Sequence, residues 1–286
     1  MAAPRAGGSS DAPTPVILDT DIESDVDDVG AVAVLHALAN RGEADIIGMG
    51  VSATFRWCVP CLDALNAYFG RSAIPIGGLR EGPIEYGSSY CEKIATEYPH
   101  PRSEFTGDAP PAVSVYRRAL AEAEDHSVVF ITIGFLTNLA ALLVTEPDEH
   151  SPLNGLELVR QKVRAWVCMG GFFEKDGLQE HNLKSDPAAA AFTAHKWPSP
   201  VVWSGFEVGV ELETGPGLAG LDSGSPVRRA YEIYNDLTPR PSWDQLTVLY
   251  AVRGLGGGLR HWYDESKPGQ NVVDQTGANR WQSEPT

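Results

Sequence analysis

Val16-Ile-Leu-Asp-Thr-Asp-Ile-Glu-Ser-Asp-Val-Asp-Asp28 begins as an apolar, β-rich run and ends as a cluster of carboxylates. Behind it, Ala31 to Ala39 carries apolar residues at helical spacing, so a buried strand, an acidic loop and a helix follow one another. The same order repeats down the chain. Asp45 to Val51 precedes Cys61 to Phe69, Val128 to Ile133 precedes Leu139 to Val144, Ala165 to Met169 precedes Pro187 to Ala194, and Val201 to Trp203 precedes Val227 to Tyr234. Strands alternating with helices at this pace predict an α/β fold: a Rossmann-like, mainly parallel sheet with helices on both faces. Ligands in such folds bind beyond the carboxyl ends of the strands. The loops after Leu18, Val51, Ile133, Met169 and Trp203 are therefore where chemistry is expected.

In the first of these loops Asp19, Asp21, Glu23, Asp25, Asp27 and Asp28 fall within ten positions. Six carboxylates this close repel one another unless a cation neutralises them, and hard divalent ions with oxygen ligands are the natural partner. A solvated acidic loop with an Asp capping the next helix is the plainer alternative. The position at the functional end of a buried strand favours the metal. The spacing is not that of an EF-hand loop, which needs its Gly and a terminal Glu.

The 286 residues, 43% hydrophobic and 21% charged, have a globular composition and enough length to bury a core without disulfides or metal staples. They read as one domain over 15–286 behind a flexible segment, 1–14. With 22 Lys+Arg against 38 Asp+Glu the formal charge is -16, which argues against a non-specific grip on nucleic acid or an anionic membrane, since both need a basic face. Residues 1–14 are small and polar with one Arg, so no signal peptide is visible and the cytoplasm is the expected location; a leader already removed is the alternative. Ser127 to Thr145 runs charge-free for 19 residues, but Gly134, Thr137 and Asn138 at its centre read as a strand, a turn and a helix start rather than a membrane span. Arg80 to Pro110, rich in Pro, Gly and Tyr, reads as a long loop or lid, and Trp262 and Trp281 as docking anchors of the polar C-terminal stretch.

Asp19-Thr-Asp21, Asp25 and Asp27-Asp28 after a first strand resemble the opening motif of the nucleoside hydrolase family, the inosine–uridine-preferring calcium N-ribohydrolases. Gly134-Phe-Leu-Thr-Asn-Leu-Ala140 is similar to that family's G-P-L-T-N-L-A, with Phe135 in place of Pro, and Met169-Gly-Gly171 to its M-G-G strand end. Glu180-His-Asn182, followed by Asp186-Pro-Ala-Ala189, resembles E-F-N and D-P-x-A-A, and Ser242-Trp-Asp-Gln-Leu-Thr-Val248 stands where the family has H-D-P-x-A-V. These motifs run in family order from about Val16 to Val252.

The resemblance implies Ca²⁺-dependent hydrolysis of the N-glycosidic bond of ribonucleosides or related ribosyl compounds by a homodimer or homotetramer. It implies Asp21, Asp28, the Thr137 carbonyl and Asp244 as Ca²⁺ ligands, with the ribose 2′- and 3′-hydroxyls and a water completing the shell. Asp21 would be the general base on that water, Asp27 would bind a ribose hydroxyl, and Glu180 and Asn182 would hold further sugar hydroxyls. Asp25 is an added carboxylate, Asp19 would orient the loop from behind, and Asp186 before Pro187 reads as a helix cap. The residue types suit the reaction, because C–N cleavage builds positive charge on the sugar that carboxylates stabilise.

The match fails on the aglycone side. The family often carries a His before its last Asp, a candidate acid for the leaving base; here that position is Trp243, which stacks on planar groups but donates no proton usefully. The Gly-Asn after the second strand is replaced by a loop ending in Arg56-Trp57, which sets Trp57 as an aromatic contact to substrate. No His-Gly occurs between Arg80 and Pro110. A divergent subgroup with a rewritten aglycone pocket follows, and loss of the His also suits a non-catalytic calcium- and ribose-binding relative. Trp57-Cys-Val-Pro-Cys61 offers a third reading: opening a helix after a strand, it looks like the W-C-x-P-C redox motif, in which a helix N-terminus activates the first thiol. His36 reads as structural or exposed, His181 likewise, with an approach to the leaving group as the alternative because it lies between two site residues, and Trp166 and Trp203 as core.

Overall fold

The structure, a computed structural model, describes residues 12–82, 86–261 and 263–283. The expected flexible segment lies outside the described residues up to position 11, and Thr14 already belongs to a strand. Six strands form the central sheet: β1 (Thr14–Thr20), β2 (Ala44–Val51), β3 (Ile76–Gly77), β4 (Val128–Thr132), β5 (Val163–Met169) and β6 (Val201–Ser204). Their order is β3-β2-β1-β4-β5-β6, and every neighbouring pair is parallel. The five strands read from the sequence are all present; β3, two residues long, is too short to carry a periodic signal.

Eleven α-helices surround the sheet among the described residues: α1 (Asp27–Asn40), α2 (Cys58–Tyr68), α3 (Cys91–Glu97), α4 (Ala112–Glu122), α5 (Thr137–Leu143), α6 (Gly155–Lys162), α7 (His181–Ser185), α8 (Pro187–Lys196), α9 (Phe206–Val210), α10 (Pro226–Asn235) and α11 (Trp243–Arg253). Strand pleating sends successive side chains to opposite faces. Val16 and Leu18 of β1 accordingly pack with Val29, Leu62 and Val248 from α1, α2 and α11. Ile17 packs with Tyr116, Leu139 and Val159 from α4, α5 and α6 on the other face. The expected doubly covered sheet is the one observed.

Arg80 to Pro110 is not loop throughout, because Cys91, Ile94 and Ala95 bury one side of α3 there, and Ser88 Oγ accepts from Cys91 N at its start. The apolar stretch from Ser127 resolves into β4, a turn at Gly134 and α5, and no helix among the described residues is long and apolar enough to cross a membrane. Two short antiparallel pairs complete the chain: β7 (Glu213–Thr214) with β8 (Arg240–Pro241), and β9 (Gly269–Val273) with β10 (Asn279–Ser283). Trp281 on β10 lies edge-on to Phe173, 5.9 Å between ring centres, while Trp262 is outside the described residues. Neighbours in the sheet, β1 and β4 send their following loops apart into different helices, and this switch in strand order opens the crevice that holds the acidic loop.

Candidate active site

The acidic loop runs from the end of β1 into α1, whose first turn begins with Asp27 and Asp28. Carboxylates are favoured there by the unpaired N–H groups and the dipole of the helix. The first turn of α11 brings Asp244 to the same place, as α1 and α11 pack against each other. Asp27, Asp28 and Asp244, all buried, each offer an oxygen within 4.8 Å of the others. Asp244 N donates to Asp27 Oδ2 at 3.4 Å, and Thr20 Oγ1 donates to Asp28. Asp21 lines the same cavity, of about 360 Å³. Beneath the loop, Asp19 accepts from Tyr116 Oη and from Asn138 Nδ2, the latter at 2.9 Å.

Burial dominates the electrostatics. It pushes Asp27 up to about 8, with the Asp28 charge adding to the shift, and Asp19 to about 7 against the hydrogen bonds from Tyr116 and Asn138. Asp21, Asp28 and Asp244 are raised well above the ordinary carboxylate range, first by burial and then by repulsion from the acidic groups around them. Such a cluster is costly to ionise alone and is relieved by a cation. The donor set, hard oxygens converging on one cavity, fits a hard divalent cation.

Glu180 and Asn182 line the cavity on another side. Glu180 caps α7, accepting from Asn182 N at 2.9 Å and from Gly171 N at 3.2 Å, and Asn182 Nδ2 donates to Ile133 O at 3.3 Å. Asp186 does act as a helix cap, its Oδ1 accepting from Ala189 N at 3.1 Å. Its Oδ2 accepts from Thr137 Oγ1 at 2.6 Å, at the start of α5. Thr137 itself does not line the cavity.

Away from the carboxylates the wall is aromatic. Trp243 packs on Phe206, 5.1 Å between ring centres, and its Nε1 donates to Phe206 O at 2.8 Å. Tyr234, Phe206 and Arg240 line this part of the cavity and were not singled out from the sequence, where nothing local marks them. His181 lines it too, its ring 4.9 Å from that of Tyr86; its Nε2 is buried without a partner among the described residues, and burial lowers its pKa. Trp57 is not brought to the cavity: it precedes α2, and its ring stands edge-on to Phe105 at 4.9 Å. Cys58 and Cys61 do open α2, both free and fully buried, and burial raises the pKa of each, which disfavours a thiolate there. His36 is buried between α1 and α2, Trp166 is core, and Trp203 packs beside it half-buried.

The sequence profile of the inosine-uridine preferring nucleoside hydrolases matches residues 16–278. No curated protein matches the sequence. Among solved structures, a plant nucleoside hydrolase superposes with a TM-score of 0.66 at 20% identity, over 96% of this chain and 90% of that one. The purine-preferring ribonucleoside hydrolase from Gardnerella vaginalis does so with 0.69 at 18%, over 94% and 88%. The type III effector protein XopQ, solved with adenosine diphosphate ribose, gives 0.66 at 17%, over 96% and 89%. At these identities the structures share the fold.

Proposed function

We propose, from the premise that this chain belongs to the inosine-uridine preferring nucleoside hydrolase family, that it hydrolyses the N-glycosidic bond of ribonucleosides or related ribosyl compounds and needs Ca²⁺ to do so. The observation that carries this reading is the convergence of the buried Asp27, Asp28 and Asp244 at the switch point of the sheet. Asp28, Asp244 and Asp21 would hold the ion, with the Thr137 carbonyl added on the resemblance alone. When bound, the ion acidifies water and fixes the ribose diol.

The protein's own groups do the rest. Asp21, which lines the cavity beside Asp28, is the carboxylate placed to take the proton of the attacking water. Asp27 accepts from a ribose hydroxyl, and Glu180 and Asn182 hold the far side of the sugar. Positive charge growing at the anomeric carbon is met by the surrounding carboxylates. The aglycone lies along Trp243 and Phe206.

Release of reducing sugar from a nucleoside panel and from p-nitrophenyl riboside, with and without EDTA, tests the reading. Chelator-sensitive turnover is expected, and Asp28→Asn or Asp244→Ala should abolish both turnover and Ca²⁺ binding. Full activity in EDTA would remove the metal from the mechanism. Ca²⁺ and ribose binding without any turnover would favour a binding protein, the reading that Trp243 in place of a proton donor supports.

A further inference from the structure

Two features set this sequence apart from its family's pattern: the added carboxylate of Asp25 and an indole, Trp243, where a proton-donating side chain is usual. In the fold they meet at Arg240. Its Nε donates to Asp25 Oδ1 at 2.9 Å and its Nη2 to Asp25 Oδ2, a two-point ion pair between residues 215 positions apart. The same guanidinium stands 5.1 Å from the Trp243 ring centre and 5.7 Å from that of Tyr234. Arg240 is the one Lys or Arg among the described residues lining the cavity, and it packs on the aromatic wall within reach of the Asp244 charge. With Nε and Nη2 given to Asp25, Nη1 has no acceptor among the described residues and is not buried. A fork fixed at one edge by a carboxylate, packed on aromatic rings and open at the other edge is a preorganised donor.

We propose that Arg240 stabilises the departing aglycone, its Nη1 donating a charged hydrogen bond to the aglycone atom on which negative charge gathers. This rests on the hydrolase reading above. As the C–N bond breaks, its electron pair moves onto the aglycone. Water forms the new bond to the anomeric carbon and gives its proton to Asp21, and the aglycone anion takes a proton from solvent. Arg240 keeps its own proton throughout, because guanidinium is no acid near neutrality. Asp25 is a positioning residue that aims the fork. The substrate class is ribosides whose aglycone spreads negative charge onto a ring acceptor atom.

The test compares wild type, Arg240→Met and Arg240→Lys on inosine and uridine, whose bases leave poorly, and on p-nitrophenyl riboside, whose aglycone leaves with little help. Arg240→Met is expected to lower kcat on the nucleosides about 100-fold or more, with a loss at least about tenfold smaller on the activated riboside. Arg240→Lys should recover part of the difference, and calorimetric Ca²⁺ affinity should hold. If Arg240→Met leaves too little folded protein, Asp25→Asn with Arg240→Met removes the stranded carboxylate and should give the same substrate split. Equal losses on both substrates, lost Ca²⁺ affinity, or undiminished nucleoside turnover would each overturn the proposal while leaving the hydrolase reading in place. A wild type that turns over none of the three substrates would overturn both.

Discussion

Gly134 closes the turn after β4 directly against the acidic loop. A Cβ there would lie 2.5 Å from Asp21 N, 2.7 Å from Ser52 Oγ and 2.8 Å from Asp21 Cβ. Two of those atoms belong to the Asp21 main chain or its root, so they yield only if the loop moves. Gly134→Ala is therefore expected to cost roughly 1–3 kcal/mol by overpacking and to weaken Ca²⁺ binding by displacing Asp21. Urea unfolding and calorimetric titration read the two effects, and a variant matching wild type in both would show that the loop shifts freely. At this scale the sequence is legible where a residue type has few other uses. Asp21, Asp27, Asp28, Glu180, Asn182, Trp243 and Asp244 all line the cavity. Phe206, Tyr234 and Arg240 were not legible, since they arrive from α9, α10 and β8 and only the fold gathers them. Trp57 follows from its place after the second strand, and sequence position cannot show that its ring packs against Phe105 instead.

The packing of α1 on α2 depends on a histidine kept neutral. His36 Nε2 is 2.8 Å from Asn66 Oδ1, the ring stacks on Phe69 at 4.5 Å, and burial lowers its pKa from the ordinary 6.5 to about 4. The unfolded chain takes up this proton near pH 6.5 and the folded protein only near pH 4. The contribution is thus complete above 6.5, falls as the pH drops towards 4, and amounts to about 3 kcal/mol. The raised carboxylates of the metal-free site run the opposite way, so the measurement is a difference. The stability gap between wild type and His36→Gln, from denaturant unfolding at pH 4 to 8, should shrink with acid; a pH-independent gap would mean that the imidazole is not held neutral. Elements were legible where burial and hydrophobicity agree, as in the five strands. They were hidden where a buried residue is polar. Helix α4 has apolar residues at helical spacing, Val115, Tyr116, Ala119 and Leu120, interrupted by Arg117. That arginine reads as surface yet is buried, with Asp148, Thr145 and the carbonyls of Ser151 and Leu153 taking its donors.

For the molecule as a whole, the formal charge of -16 poses two separate electrostatic problems. Carboxylates on the surface repel one another through water, and any salt screens those farther apart than a Debye length, about 10 Å at 0.1 M. Asp27, Asp28 and Asp244 are buried side by side at one cavity, where bulk salt screens little and a coordinated cation or protonation lowers the repulsion. The charge balance was plain from composition, but its division into a screenable and an unscreenable part required the structure. Protein stripped with EDTA and melted in NaCl should gain a little stability that rises smoothly with ionic strength. At matched ionic strength CaCl₂ should add a further gain that grows with the logarithm of free Ca²⁺, about 2.7 kcal/mol once the ion is a hundredfold above its dissociation constant. Asp28→Asn should erase the Ca²⁺-specific part and keep the one shared with NaCl, and in EDTA it should be no less stable than wild type, because one of the crowded charges is gone. Identical NaCl and CaCl₂ curves for the wild type would mean that the cluster stays protonated and binds no ion, and the hydrolase mechanism would then have to work without it.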